Sequence, residues 1–107
     1  MVARNEIYWA DLGPSGGRRP VCILTRDPAI QVLDRVTCAP ITRTIRGIPS
    51  EVAVGPDHGL PEEAVINCDN LITLGKTRLD PRPIGRLDPH TRARLDRALR
   101  YSLDILY

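Results

Sequence analysis

The sequence predicts a mainly β fold, a small barrel or sandwich of short strands completed by one C-terminal helix. Three observations carry that reading. Short apolar runs recur at intervals of about 8–12 residues, between breaks rich in Gly and Pro. One of these runs, "PVCILT" at residues 20–25, is apolar almost throughout, as in a strand buried on both faces. Past Asp88 the apolar spacing lengthens from two residues to three or four, the period of a helix.

The elements follow in order. "EIYWADL" (residues 6–12) alternates, which places Ile7 and Trp9 on one face and Glu6 and Tyr8 on the other. "GPSGG" is a loop whose glycines let the chain turn back. It leads through Arg18-Arg19 into the "PVCILT" strand. "RDPAIQVLD" holds one helical turn. "RVTCAPIT" (35–42) is a strand, with Pro40 marking an end, an edge or a bulge. "RTIRG" is a basic loop, "IPSEVAV" a second alternating strand and "GPDHGLPEEA" a series of turns. "VINCDNLITL" supplies one or two more short strands and "PIGRL" the last. Asp88 then caps a helix with Pro89 at its first position. Leu95, Ala98, Leu99, Ser102, Leu103 and Leu106 share its apolar face, and Arg92, Asp96 and Arg100 are spaced for i,i+4 ion pairs. The expected role of this helix is to cover one open end of a barrel.

At 107 residues the chain suits a single domain, spanning 1–107. A hydrophobic fraction of 42% is too high for a disordered chain. The net charge of +2 permits nucleic-acid binding without demanding it. Nearly all the cations are arginine, whose planar fork suits phosphate. Cys22, Cys38 and Cys68 are too scattered for a zinc site or a disulfide framework and read as reduced core thiols. The N-terminus has no secretory signature and no apolar run approaches a membrane span, so a microbial cytoplasm is the expected compartment.

Most catalytic signatures are missing. His58 and His90 sit beside Asp or Pro in turn-like contexts, as solvated imidazoles do, and neither is placed for a nucleophile–base pair. No glycine-rich phosphate loop precedes a lysine and no acidic cluster has metal-ligand spacing. Any catalysis is therefore expected to be free of metal and cofactor. Two basic stretches remain: Arg18-Arg19, ahead of one core strand, and "PITRTIRG", past another. Either they are solvated surface, or Arg19 and Thr42 hold an RNA phosphodiester while the substrate's own 2′-OH attacks. Base reading would fall to Thr25, Arg26, Arg43, Thr44 and Arg46. Asn70 and Lys76 either line the same groove or are structural. Trp9 could stack on a base, but sharing a face with Ile7 favours core or dimer packing.

"EIYWADLGP", the glycine loop and "RRPVCILTRDP" resemble the N-terminal half of the MazF/PemK family of toxin endoribonucleases. The similarity continues through "VTCAPITRTIRGIPSEVAVG", "GLPEEAVINCDNLITLGKTRL", "IGRL" and the final helix, covering nearly the whole chain in order. The resemblance implies an SH3-like β-barrel with a C-terminal helix, usually a homodimer. It also implies metal-independent cleavage of single-stranded RNA at short sequences, leaving 2′,3′-cyclic phosphate and 5′-OH ends, and a cognate antitoxin that blocks the RNA groove. The family's arginine before the strand proline corresponds to Arg19, with acid–base work and phosphate stabilisation as its role. The threonine closing the third strand corresponds to Thr42, with phosphate holding as its role. An acidic residue that some members use corresponds to Asp69, although the arginine they carry two residues earlier is Asn67 here. Arg18 is either a second phosphate contact or a surface charge. The first loop, "PSGG", lacks the Ser-Glu-Gln stretch of many members, so the cleavage motif does not transfer. Two other classes fit the same barrel: a toxin that poisons gyrase without chemistry, against which the tail "DILY" counts, and a plain interaction module.

Overall fold

The computed structural model describes residues 1–106; Tyr107, the last residue of "DILY", lies outside them. Among the described residues, seven strands and two α-helices follow in chain order: β1 (Glu6–Asp11), β2 (Arg18–Ile23), α1 (Asp27–Ile30), β3 (Arg35–Thr42), β4 (Glu51–Val54), β5 (Ala64–Asn67), β6 (Ile72–Gly75), β7 (Gly85–Arg86) and α2 (Pro89–Ser102). Every strand pairing is antiparallel, in the order β4-β5-β3-β2-β1-β7. Strand β3 is shared: residues 35–38 pair with β6, and 41–42 pair with β5. A bridge between Ala10 and Leu79 brings the chain after β6 back to β1 and curls the sheet into a partly open SH3-like barrel.

Pro40 is neither at an end nor at an edge. It sits inside β3, opposite Val21, between the residues paired to β6 and those paired to β5. The Thr37 carbonyl and amide both face the β2 side, bonding Leu24 and Thr25. By alternation, position 40 faces the other side, where no partner strand asks for the N–H that proline lacks.

The core has two parts, because β1, β2 and β3 are buried on both faces. Ile7, Cys22, Ala39, Ile41, Val52 and Ile66 pack beneath Leu87, Leu95 and Ala98 at α2. Tyr8, Ala10, Val21, Ile23, Val36, Cys38 and Leu74 pack on the opposite face with Ile30 of α1. Tyr8 lies on the face of β1 opposite Ile7, as the alternation predicts, and that face is also covered: Tyr8 is 2% exposed and its hydroxyl donates to Glu6. Burial and the neighbouring carboxylate push that phenol up to about 12. The three cysteines are free and buried, and burial pushes Cys22 and Cys38 to about 12 and Cys68 to about 11.

Helix α2 starts where expected, with Asp88 accepting from the Thr91 amide. It ends at Ser102, so Leu103 and Leu106 leave the apolar face and are exposed. Asp96 pairs with Arg4 at 3.4 Å rather than along its own helix, and the Arg92 Nε donates to the Leu87 carbonyl. His58 is a structural residue, not a solvated one. Its side chain is 10% exposed, Nδ1 accepts from the Gly55 amide, and Nε2 lies 2.9 Å from Asp88 and 3.2 Å from Thr91. That contact ties the turn after β4 to the start of α2. Bonds from Thr91 and His58 hold the Asp88 carboxyl well below the usual carboxylate range.

Candidate active site

The two basic stretches meet at one end of the sheet. Arg18 and Arg19 are the first residues of β2, opposite Asp11 and Ala10 of β1. Strand β2 pairs with β3 through Val21 and Pro40. Continued two places, that register sets Arg19 opposite Thr42, and directly opposed residues share a face. Two hollows open there. One, of about 360 Å³, is lined by Trp9, Arg18, Pro20, Ile41, Arg43, Leu60 and Glu62, among others. The other, of about 370 Å³, is more polar, with Ser15, Thr44, Arg46, Asn67 and Asn70 in its wall. Arg19, Ile41 and Thr42 line both, so they form the ridge between the hollows.

The arginines on this rim differ in how they are held. Arg18 makes a bidentate pair with Asp80, at 3.0 and 2.8 Å, and its guanidinium lies 5.8 Å from the Trp9 ring centroid. The Asp80 carboxylate that accepts these bonds raises Arg18 above its already high ordinary value and is itself lowered. Arg43 pairs with Glu62 at 2.6 Å, with the same upward effect on the guanidinium. Arg19 donates only through Nε, to the Gly16 carbonyl at 3.1 Å. Among the described residues it has no carboxylate partner, so its two terminal nitrogens remain for a ligand. The anchoring carbonyl belongs to the glycine loop. That loop closes through a bond from the Leu12 amide to Gly17, whose φ of +65° suits glycine.

Thr42 is oriented by its own loop. Its Oγ1 accepts from the Thr44 amide at 3.1 Å, which leaves the hydroxyl proton free to donate outward. An exposed guanidinium and an oriented hydroxyl on one ridge are the donors that an anionic, tetrahedral or bipyramidal phosphorus group requires. Among the described residues no cluster of three or more His, Cys, Asp or Glu is placed to hold a metal ion.

The remaining candidates divide. Arg18 and Arg43 reach the aromatic hollow, while Thr44, Arg46 and Asn70 reach the polar one. Thr25 and Arg26 line a third depression with Arg4 and Arg35. There Thr25 Oγ1 accepts from the Thr37 amide. Lys76 donates to the Ile30 carbonyl. The structure thus does not bring Thr25, Arg26 or Lys76 to the ridge. Asp69 lines neither hollow; its carboxylate accepts from Ser50 Oγ and its amide donates to Asn67 Oδ1. Asn67, Glu62 and Trp9 are the site residues that the sequence reading passed over or assigned elsewhere. Only strand register could have found the first and last, since β5 sets Ile66 beside Ile41, and β1 sets Trp9 beside Pro20.

Comparison with known proteins identifies a family. Residues 3–103 match the model of the PemK-like, MazF-like toxins of type II toxin–antitoxin systems. The probable endoribonuclease MazF5 of Mycobacterium tuberculosis (strain ATCC 25618 / H37Rv) is 37% identical over 105 residues, covering 97% of this chain and 94% of the relative. The solved structure of the Mycobacterium tuberculosis toxin MazF-mt6 superposes with a TM-score of 0.88 at 37% identity, over 95% of this chain and 99% of that one. An endoribonuclease in complex with its cognate antitoxin, from a mycobacterial species, gives a TM-score of 0.88 at 31% identity, over 100% and 99% of the two chains.

Proposed function

The chain belongs to the PemK-like, MazF-like toxin family and is an endoribonuclease of that family, and on that premise we propose that it cuts single-stranded RNA at short sequences, without metal or cofactor, by attack of the substrate's 2′-OH. The observation that carries this reading is the ridge: Arg19, with its terminal nitrogens unpaired among the described residues, and Thr42, whose Oγ1 accepts from the Thr44 amide, lining the same hollows. The scissile phosphate sits on that ridge. The 2′-oxygen bonds to phosphorus and loses its proton to solvent. The 5′-oxygen leaves and takes a proton up, giving 2′,3′-cyclic phosphate and 5′-OH ends. Arg19 and Thr42 stabilise the charge that builds on the non-bridging oxygens. A guanidinium, with an ordinary pKa above about 12, is a poor general base, so charge stabilisation is the role of Arg19.

Thr44, Arg46 and Asn70 hold the RNA backbone in the polar hollow, with Asn67 beside them. Asp69 positions this segment through Ser50 and Asn67 rather than touching substrate. The protein acts as a homodimer in the cytoplasm and is neutralised by an antitoxin of its own; the relative solved with its cognate antitoxin supports that partner. The test is digestion of a defined RNA in EDTA, with mapping of the new ends. Ends bearing 5′-OH and cyclic phosphate are expected. Cutting only with added divalent cation, or 5′-phosphate ends, would overturn the mechanism.

A further inference from the structure

We infer that the hollow at Trp9 is a nucleobase pocket, holding the base next to the scissile phosphate and contributing to the choice of cleavage sequence; this rests on the RNA-cleavage reading above. The strand registers place the pocket. Trp9 lies directly opposite Pro20, and the β2–β3 register, continued one place, sets Pro20 opposite Ile41. Trp9, Pro20 and Ile41 thus form a row across three strands. The next row is Ala10, Arg19 and Thr42. Successive side chains on a strand alternate faces, yet at this open end of the sheet Arg19 and Thr42 line the same hollow as the Trp9 row, so a phosphate held at Arg19 and Thr42 lies beside that hollow. Five of these six residues, all but Ala10, line the same cavity of about 360 Å³, at the lower end of the roughly 300–1,000 Å³ usual for small-ligand sites.

Its lining suits a base. The indole is half-buried and fixed in place, with the Arg18 guanidinium 5.8 Å from its centroid and Asp80 gripping that guanidinium in turn. Leu60, Pro20 and Ile41 add apolar wall. Bases stack on aromatic rings, and this cavity offers the Trp9 ring. Among the described residues, the polar hollow across the ridge has no aromatic in its lining, so it suits sugar and phosphate instead. Arg18 is then a positioning residue for Trp9, which accounts for its pairing away from the ridge.

Trp9 is the chain's one tryptophan, so its emission reports the pocket without interference. The probe is the RNA that the wild type cuts, with 2′-deoxyribose at the cut position so that it binds without reacting. It should quench or shift Trp9 emission as it binds in EDTA. Trp9→Leu fills the space without a π face and should bind the probe about tenfold more weakly. The same variant should relax the sequence preference at one position beside the cut. Trp9→Phe should restore both, and thermal melts of the two variants should coincide. Emission that stays constant while the probe binds, together with an unchanged cleavage motif in Trp9→Leu, would overturn the pocket and leave the ribonuclease reading standing. A response of Trp9 to an acidic peptide but not to bound RNA would likewise overturn it, making the hollow a protein site. Wild type that cuts no RNA at all would end both.

Discussion

Arg18 and Arg19 are neighbours in sequence and opposites in chemistry. Consecutive side chains on a strand point to opposite faces, so the two sample different surroundings. Arg18 meets Asp80, brought from 62 residues away, and the face of Trp9. Arg19 meets the lip of the barrel, where one backbone carbonyl steadies it and, among the described residues, no carboxylate neutralises it. A guanidinium satisfied by a carboxylate is a structural part, and one held by a neutral carbonyl keeps its charge for a ligand. The same contrast separates Arg43, paired with Glu62, from Arg46, which makes no ion pair among the described residues.

That comparison can be broken most easily at Arg19. Arg19→Ala should lower single-turnover RNA cleavage by about 10²–10³-fold, the usual cost of one preorganised transition-state donor. Its melting curve should not move, because the side chain is exposed. Thr42→Val keeps the shape and deletes the donated proton, and should cost about tenfold in the same assay. It also frees the Thr44 amide, so a larger loss accompanied by altered loop proteolysis would mean that the hydroxyl acts through the loop.

Arg18→Ala should lower cleavage only a few-fold at moderate salt, since an exposed ion pair contributes little. A loss equal to that of Arg19→Ala would erase the distinction between the two. The smallest effect lies in the pH dependence of stability. The folded-state pKa of Asp80 is depressed by Arg18, so the pair stabilises above the ordinary carboxylate value of about 3.9 and loses its effect as pH falls through the lowered value. Thermal melts of wild type and Arg18→Ala should therefore differ slightly near neutrality and converge in acid.

How much of this was legible in the sequence follows from the range of each interaction. The strand runs, the helical turn at Asp27 and the Asp88 cap depend on neighbours within a few residues, and each formed where its residues point. Arg19 and Thr42 could be singled out because both sit at strand ends beside loops and match a known family pattern. What could not be read was long-range pairing. Alternation separated Tyr8 from Ile7 but does not say that a second core covers the Tyr8 face. His58 looked solvated because its partners, Asp88 and Thr91, lie 30 and 33 residues on. Arg26 and Lys76 looked like groove cations because composition does not reveal which end of the sheet a loop occupies.

The most direct test of the account is single-turnover digestion of one defined RNA in EDTA by wild type and by Arg19→Ala, with both termini of each product identified. The ridge predicts cyclic-phosphate and 5′-OH ends from the wild type and almost no product from the folded variant. Equal cutting by the two proteins would contradict it.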